Sequence, residues 1–151
     1  MSCETSSNTG GCSLDLVTLD FETYYDDKYS LSKMTTEEYI NDDRFEAIGV
    51  AAKVNDGETV WCTGNFTELE KFLIPFNLPN CAVLAHNCMF DAAILNWIYG
   101  IKPKLLLDTL SMSRALRGIQ ARHSLSALAQ EFEVGEKGTE VIKAKGVTRE
   151  D

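Results

Sequence analysis

No stretch of this sequence approaches the roughly 20 apolar residues that a membrane span needs, and its first residues lack the apolar core of a secretory signal. A cytosolic (cytoplasmic) protein with no membrane segment is the expectation. Positive charge is also scarce. Fourteen Lys and Arg stand against 23 Asp and Glu, for a net charge of -9, whereas a basic binding surface works by neutralising phosphates with Lys and Arg. If the chain acts on a polynucleotide, metal ions or a neighbouring domain must bring the positive charge. The five cysteines form no CxxC pair. Their number is odd, and Cys62, Cys81 and Cys88 lie in or near apolar segments, so neither a disulfide framework nor a zinc site is suggested and reduced thiols are expected.

What is present suffices for one core. The chain has 151 residues, 44% of them hydrophobic, long enough to bury one core and too short for two ordinary domains. Residues 1–13 (MSCETSSNTGGCS) are small, polar and without periodicity. They predict a disordered tail ahead of a single domain over 14–151.

The first strand is predicted over residues 14–23 (LDLVTLDFET), which are rich in β-branched and aromatic residues. Apolar residues on both of its faces predict a central position. Thr35 and Glu38 stand three apart as a capping box and predict a short helix. Residues 47–54 and 58–62 read as two more strands, joined by Asn55-Asp56-Gly57 with its Asp-Gly hairpin signal. A second capping box, Thr67 with Glu70, opens an amphipathic helix carrying Leu69, Phe72, Leu73 and Phe76. Residues 81–85 (CAVLA) read as a buried strand; Phe90, Ile94, Trp97 and Ile98 then follow at helical spacing up to Gly100. A short buried strand over 105–107 precedes a helix through Met112, Ala115 and Leu116, and Ser124 caps a last helix carrying Leu125, Leu128, Ala129 and Phe132. Trp61 and Trp97 are expected in the core. This order predicts an α/β fold with a mixed central sheet, three antiparallel strands and then parallel ones, flanked by helices: the ribonuclease H-like layout.

Two constellations carry chemistry. In a strand, Asp20 and Glu22 point to one face with Cα atoms about 6.6 Å apart, so both carboxylates can reach one shared point. Such a pair is often only an exposed alternation, but here it ends an apolar run, where adjacent carboxylates are costly without a cation. Hard cations such as Mg²⁺ and Mn²⁺ take oxygen ligands. The second constellation is His86-Asn87-Cys88-Met89-Phe90-Asp91. Asp91 falls near a helix start, where the macrodipole favours an ionised carboxylate ready to bind metal. Weaker signals are Asp108, expected to be a structural hydrogen-bonder; His86, expected to be structural; and Arg114, Arg117 and Arg122, a modest basic patch.

The strings LDFET, AHNCMFDAAIL, LLLDTLSMSRALRG and HSLSALAQEF, covering about residues 14–146, resemble the first two exonuclease motifs and following spacer of the DnaQ-like (DEDD) 3′-5′ proofreading exonuclease domains of family A DNA polymerases, especially bacteriophage ones. The resemblance implies two-metal-ion hydrolysis of the 3′-terminal phosphodiester of single-stranded DNA. It implies two Mg²⁺ or Mn²⁺ ions on Asp20, Glu22 and Asp91. Thr23, Asn87 and Phe90 would lie beside the 3′ end, with Phe21 contributing backbone and packing, and a polymerase domain would be the partner. The family's third motif, Tyr-x-x-x-Asp or His-x-x-x-x-Asp, is not matched downstream of the spacer. The chain is therefore expected to be a fragment cut before its last catalytic carboxylate, with weak or no activity alone. An exonuclease on the same fold acting on RNA or short oligonucleotides, and a catalytically incomplete nucleic-acid-binding remnant, are the alternatives.

Overall fold

The computed structural model describes residues 13–135; the expectations for residues 1–12, and for the chain beyond 135, lie outside them. In chain order the elements are β1 (Leu16–Thr23), α1 (Thr36–Asn41), β2 (Ala47–Val54), β3 (Thr59–Thr63), α2 (Phe66–Leu73), β4 (Ala82–Ala85), α3 (Cys88–Ala93), β5 (Leu105–Asp108), α4 (Thr109–Arg117) and α5 (Leu125–Glu131). They build one sheet in the order β3-β2-β1-β4-β5. β1, β2 and β3 pair antiparallel, and β4 and β5 join parallel on the other side of β1. This is the expected α/β, ribonuclease H-like sheet with β1 at its centre.

The local signals act as their chemistry requires. Thr35 Oγ1 accepts the Glu38 N–H at 3.2 Å while the Glu38 carboxylate accepts the Thr35 N–H at 2.8 Å, closing the capping box of α1. At the β2–β3 turn Asn55 takes φ +49° and the Gly57 N–H reaches Val54 O at 2.9 Å. Gly49 is required for a different reason. A Cβ there would sit 2.9 Å from the Trp61 ring and 3.0 Å from Cys62 O of the paired strand. Gly49→Ala is expected to lower stability by about 1 to 3 kcal/mol, read from the urea midpoint, with Trp61→Ala restoring part of the loss.

The core lies on one face of the sheet. Val17, Leu19 and Phe21 of β1, Val50 and Ala52 of β2, and Val83 of β4 pack with Leu69 and Leu73 of α2 and with Ile94 and Leu95. Several expectations are corrected here. β1 is central because strands flank both its edges, not because both faces are apolar: Thr18 and Asp20 on its second face are exposed. The α2 capping box is Asn65 with Glu68, not Thr67 with Glu70; Asn65 Oδ1 accepts the Glu68 N–H at 3.1 Å, so the helix starts earlier. α3 does not run on as an α-helix to Gly100 but widens into a π-turn over Ile94–Ile98. That extra residue per turn leaves Ile94 and Leu95 buried and Trp97 half outside. Trp61 is exposed as well, because β3 is an edge strand whose ring covers Gly49. β5 is the opposite edge, so Leu105 and Leu106 are exposed rather than buried.

Candidate active site

Pleating along β1 sends Val17, Leu19 and Phe21 inward and turns Asp20 and Glu22 to the other face. The backbone edges alternate as well. Both the N–H and the C=O of Leu16 bond to Asn55, beside β2, so odd-numbered residues direct their backbone groups to the β4 side. β4 pairs only with residues 16–18 before the chain leaves the sheet. The Phe21 N–H therefore lies beyond the end of the ladder, and Asp91 meets it: Asp91 Oδ1 accepts that proton at 3.0 Å across 70 residues of sequence. A carboxylate from α3 takes the place of the absent strand, seated against the peptide between Asp20 and Glu22.

Asp91 is only 3% exposed. Burial raises its carboxyl to about 7, with the Phe21 N–H working against the rise and the negative charges of Asp20 and then Glu22 adding to it. This overturns the expectation of an acid held ionised by the helix start: α3 has six residues, and desolvation outweighs so short a dipole. Among the described residues no three His, Cys, Asp or Glu side chains are already arranged as a ligand set. The donor chemistry nonetheless fits a hard divalent cation. A buried carboxylate whose ionisation two neighbouring carboxylates oppose is a place where a cation would relieve negative charge.

Beside Glu22 lies a cavity of about 290 Å³ whose walls include Phe21, Thr23, Tyr25, Leu31, Tyr39 and Phe90. The family-implied residues Thr23 and Phe90 thus share one cleft with Glu22. Behind its wall residue Tyr39 lies a tyrosine cluster that the sequence reading missed. The Tyr39 hydroxyl meets Thr23 Oγ1 at 2.9 Å and also bonds Tyr24 O. Tyr29 stacks on Tyr39 at 4.3 Å and donates to Tyr39 O at 2.6 Å. The only prior signal was the helix carrying Tyr39. Asn87 takes φ +66° and is exposed, where the chain turns from β4 into α3. Asp108 and His86 are hydrogen-bonders, as expected: His86 Nδ1 pairs with Thr109 Oγ1 at 2.9 Å, and Asp108 holds Asn87 N–H at 2.9 Å. Within the basic patch Arg117 pairs with Glu131 and donates to Arg122 O at 2.7 Å. A larger cavity of about 500 Å³ lies on the side of α3 away from Asp91, lined by Met89, Ala92, Trp97 and Leu106; among the described residues Asp108 is the one carboxylate in its lining. Burial pushes the Cys88 thiol beside it up to about 11, with Asp91 and Asp108 adding to the rise, which makes it a poor nucleophile.

A family model described as 3′-5′ exonuclease matches residues 12–146. No curated protein matches the chain in sequence. Among solved structures, Brucella melitensis NrnC bound to pGG is similar at TM-score 0.59 and 21% identity, over 83% of this chain and 56% of that one; NrnC with bound Mg²⁺ is similar at TM-score 0.56 and 19% identity, over 83% and 57%. Trypanosoma brucei RNase D in complex with RNA U12 is similar at TM-score 0.58 and 18% identity, over 90% and 45%. The family B DNA polymerase of Pyrobaculum calidifontis is similar at TM-score 0.54 and 13% identity, over 82% and 19%. These likenesses establish the shared fold, and the chain spans little more than half the length of NrnC and less of the others.

Proposed function

From its place in the 3′-5′ exonuclease family, to which this chain belongs, we propose that it is the proofreading exonuclease part of a bacteriophage DNA polymerase, working on the 3′ end of single-stranded DNA in the host cytoplasm. The observation that supports the reading is the Asp91–Phe21 hydrogen bond, which ties a buried carboxylate to the backbone of the residue that separates Asp20 from Glu22 in sequence. Two Mg²⁺ or Mn²⁺ ions on these three carboxylates would supply charge neutralisation at the scissile phosphate and an acidified water. The chain's own side chains do the rest. Thr23 and Phe90 receive the terminal nucleotide in the cleft beside Glu22, with Phe21 as packing behind it, and Asn87 stands at the head of α3 on the strand's path. With a net charge of -9, most of the affinity for DNA belongs to an attached polymerase domain.

The test is Mn²⁺ titration of the chain and of Asp20→Ala, alongside trimming of 5′-labelled oligonucleotides with and without EDTA. Wild type is expected to bind Mn²⁺ and Asp20→Ala to bind at least about tenfold more weakly. Trimming should be slight, because the family's fourth carboxylate is not matched in this sequence, and any that occurs should step in from the 3′ end and stop with EDTA. A wild-type chain that binds no Mn²⁺ would sink the reading. A second reading, action on RNA or short oligonucleotides, is favoured by the fold's likeness to structures holding pGG and RNA U12. Equal concentrations of deoxyribose and ribose oligonucleotides in one competition assay separate the two.

A further inference from the structure

The turn between β4 and α3 is gripped from outside by the β5–α4 junction. Asp108 Oδ1 accepts the N–H of Asn87 at 2.9 Å and that of Cys88 at 3.2 Å. The same oxygen accepts the Leu110 N–H at 3.1 Å, capping α4, while Oδ2 accepts the Ser111 hydroxyl at 2.6 Å. Thr109 continues the grip: its hydroxyl donates to Ala85 O at 3.3 Å and pairs with His86 Nδ1 at 2.9 Å. Each residue from 85 to 88 is thus tied to Asp108 or Thr109.

Two features separate this from an ordinary helix cap. Asn87, the cap residue of α3, makes no side-chain cap hydrogen bond, so the first N–H groups of α3 depend on a carboxylate 20 residues further along the chain. Asp108 therefore starts two helices at once and fixes one against the other. Three donors converge on Oδ1 and a fourth holds Oδ2, so this carboxylate is engaged on both oxygens in fixing backbone and hydroxyl groups. Asp91 stands in the first turn of α3. Any slide or rotation of so short a helix carries its carboxylate off the Phe21 N–H.

We propose that Asp108 and Thr109 are positioning residues of the active site: by clamping the Ala85-to-Cys88 turn they set where α3 begins and so hold Asp91 between Asp20 and Glu22. The importance of this placement for metal binding rests on the reading of those carboxylates given above. The placement itself has an independent readout, the amide of Phe21.

Hydrogen exchange followed by NMR, in metal-free buffer, compares wild type with Asp108→Ala, Asp108→Asn, Thr109→Val and the remote cap lesion Asn65→Ala. Asp108→Ala is expected to speed exchange of the Phe21 amide about tenfold or more, through loss of a buried hydrogen bond, while the Lys53 amide, opposite Thr18 in the β1–β2 ladder, holds its protection. Asp108→Asn keeps an acceptor oxygen and should recover most of the effect; Thr109→Val should fall between. Asn65→Ala lowers stability without singling out Phe21. If Asp108→Ala exposes the Asn87, Cys88 and Leu110 amides while Phe21 keeps wild-type protection, Asp108 is a local cap and the proposal falls. Should Asp108→Ala fail to fold, Asp108→Asn and Thr109→Val decide it by the same comparison. In a Mn²⁺ titration the Asp108→Ala affinity is expected to drop about 10- to 100-fold. Wild type that binds no Mn²⁺ overturns the exonuclease reading, and the Phe21 amide still decides the positioning role.

Discussion

An Asp91→Asn chain is expected to be more stable than wild type at pH 8 without metal and to lose its metal site. The amide oxygen of Asn still accepts the Phe21 N–H, and its NH₂ has the Asp20 and Glu22 carboxylates as neighbours, so the local bonding survives while a buried charge disappears. The sign follows from the direction of the shift. The folded-state carboxyl is raised from 3.8 to about 7, so the stability it contributes is complete below about pH 4 and is lost as pH rises to about 7. The span amounts to up to about 4 kcal/mol. Urea midpoints of wild type and Asp91→Asn should converge near pH 4 and separate by pH 8, with the variant higher. Saturating Mg²⁺ should restore wild type at pH 8, because a ligand that binds only the folded chain stabilises it by mass action, and leave the variant unmoved. Its Mn²⁺ affinity should fall about 100-fold or more, the equivalent of about 3 kcal/mol. A variant that binds Mn²⁺ as wild type does would remove Asp91 from the ligand set.

The second large effect is on the tyrosine cluster. Tyr29 is fully buried, stacked nearly parallel on Tyr39, and covered on its ring by the Arg44 guanidinium at 4.7 Å. Arg44 is itself held by a bidentate pair with Asp42, at 2.7 and 2.8 Å. Burial raises the Tyr29 phenol well above its ordinary range, so it stays a donor to Tyr39 O at any working pH. Tyr29→Ala should cost about 3 to 5 kcal/mol, as large aromatic deletions in a core do. Tyr29→Phe, which removes only the hydrogen bond, should cost about 1 to 2 kcal/mol. The larger lesion also loosens Tyr39, and with it the Thr23 hydroxyl at the cleft, so the affinity of a single-stranded 3′ end should fall in Tyr29→Ala and change little in Tyr29→Phe. A loss under about 1 kcal/mol for Tyr29→Ala would mean that the cluster is not a structural unit.

Much of the scaffold was readable because its signals are local. The capping box of α1 uses two side chains three residues apart, and the β2–β3 turn uses one left-handed Asn and the N–H of Gly57. Errors arose where a neighbour outranked the pattern. Thr67 and Glu70 have the spacing of a capping box, but Asn65 starts the helix first. Trp61 and Trp97 look like core by residue type, yet an edge strand and a π-turn place them outside. The tyrosine cluster behind the cleft had no readable pattern beyond the helix that carries Tyr39: Tyr24, Tyr29 and Tyr39 meet because the segment between β1 and β2 folds back on the end of β1.

By itself the sequence determined that Asp20 and Glu22 share a face and that the sheet is mixed, because pleating and hairpin chemistry are settled within a few neighbouring residues. Only the tertiary structure decided where Asp91 goes and in what electrical state. Its oxygen replaces a strand at the edge of β1, and that depends on where β4 stops pairing and on a turn clamped from β5. Burial and two opposing carboxylates then raise its pKa, and neither dielectric nor distance exists until residues 70 apart in the chain have come together.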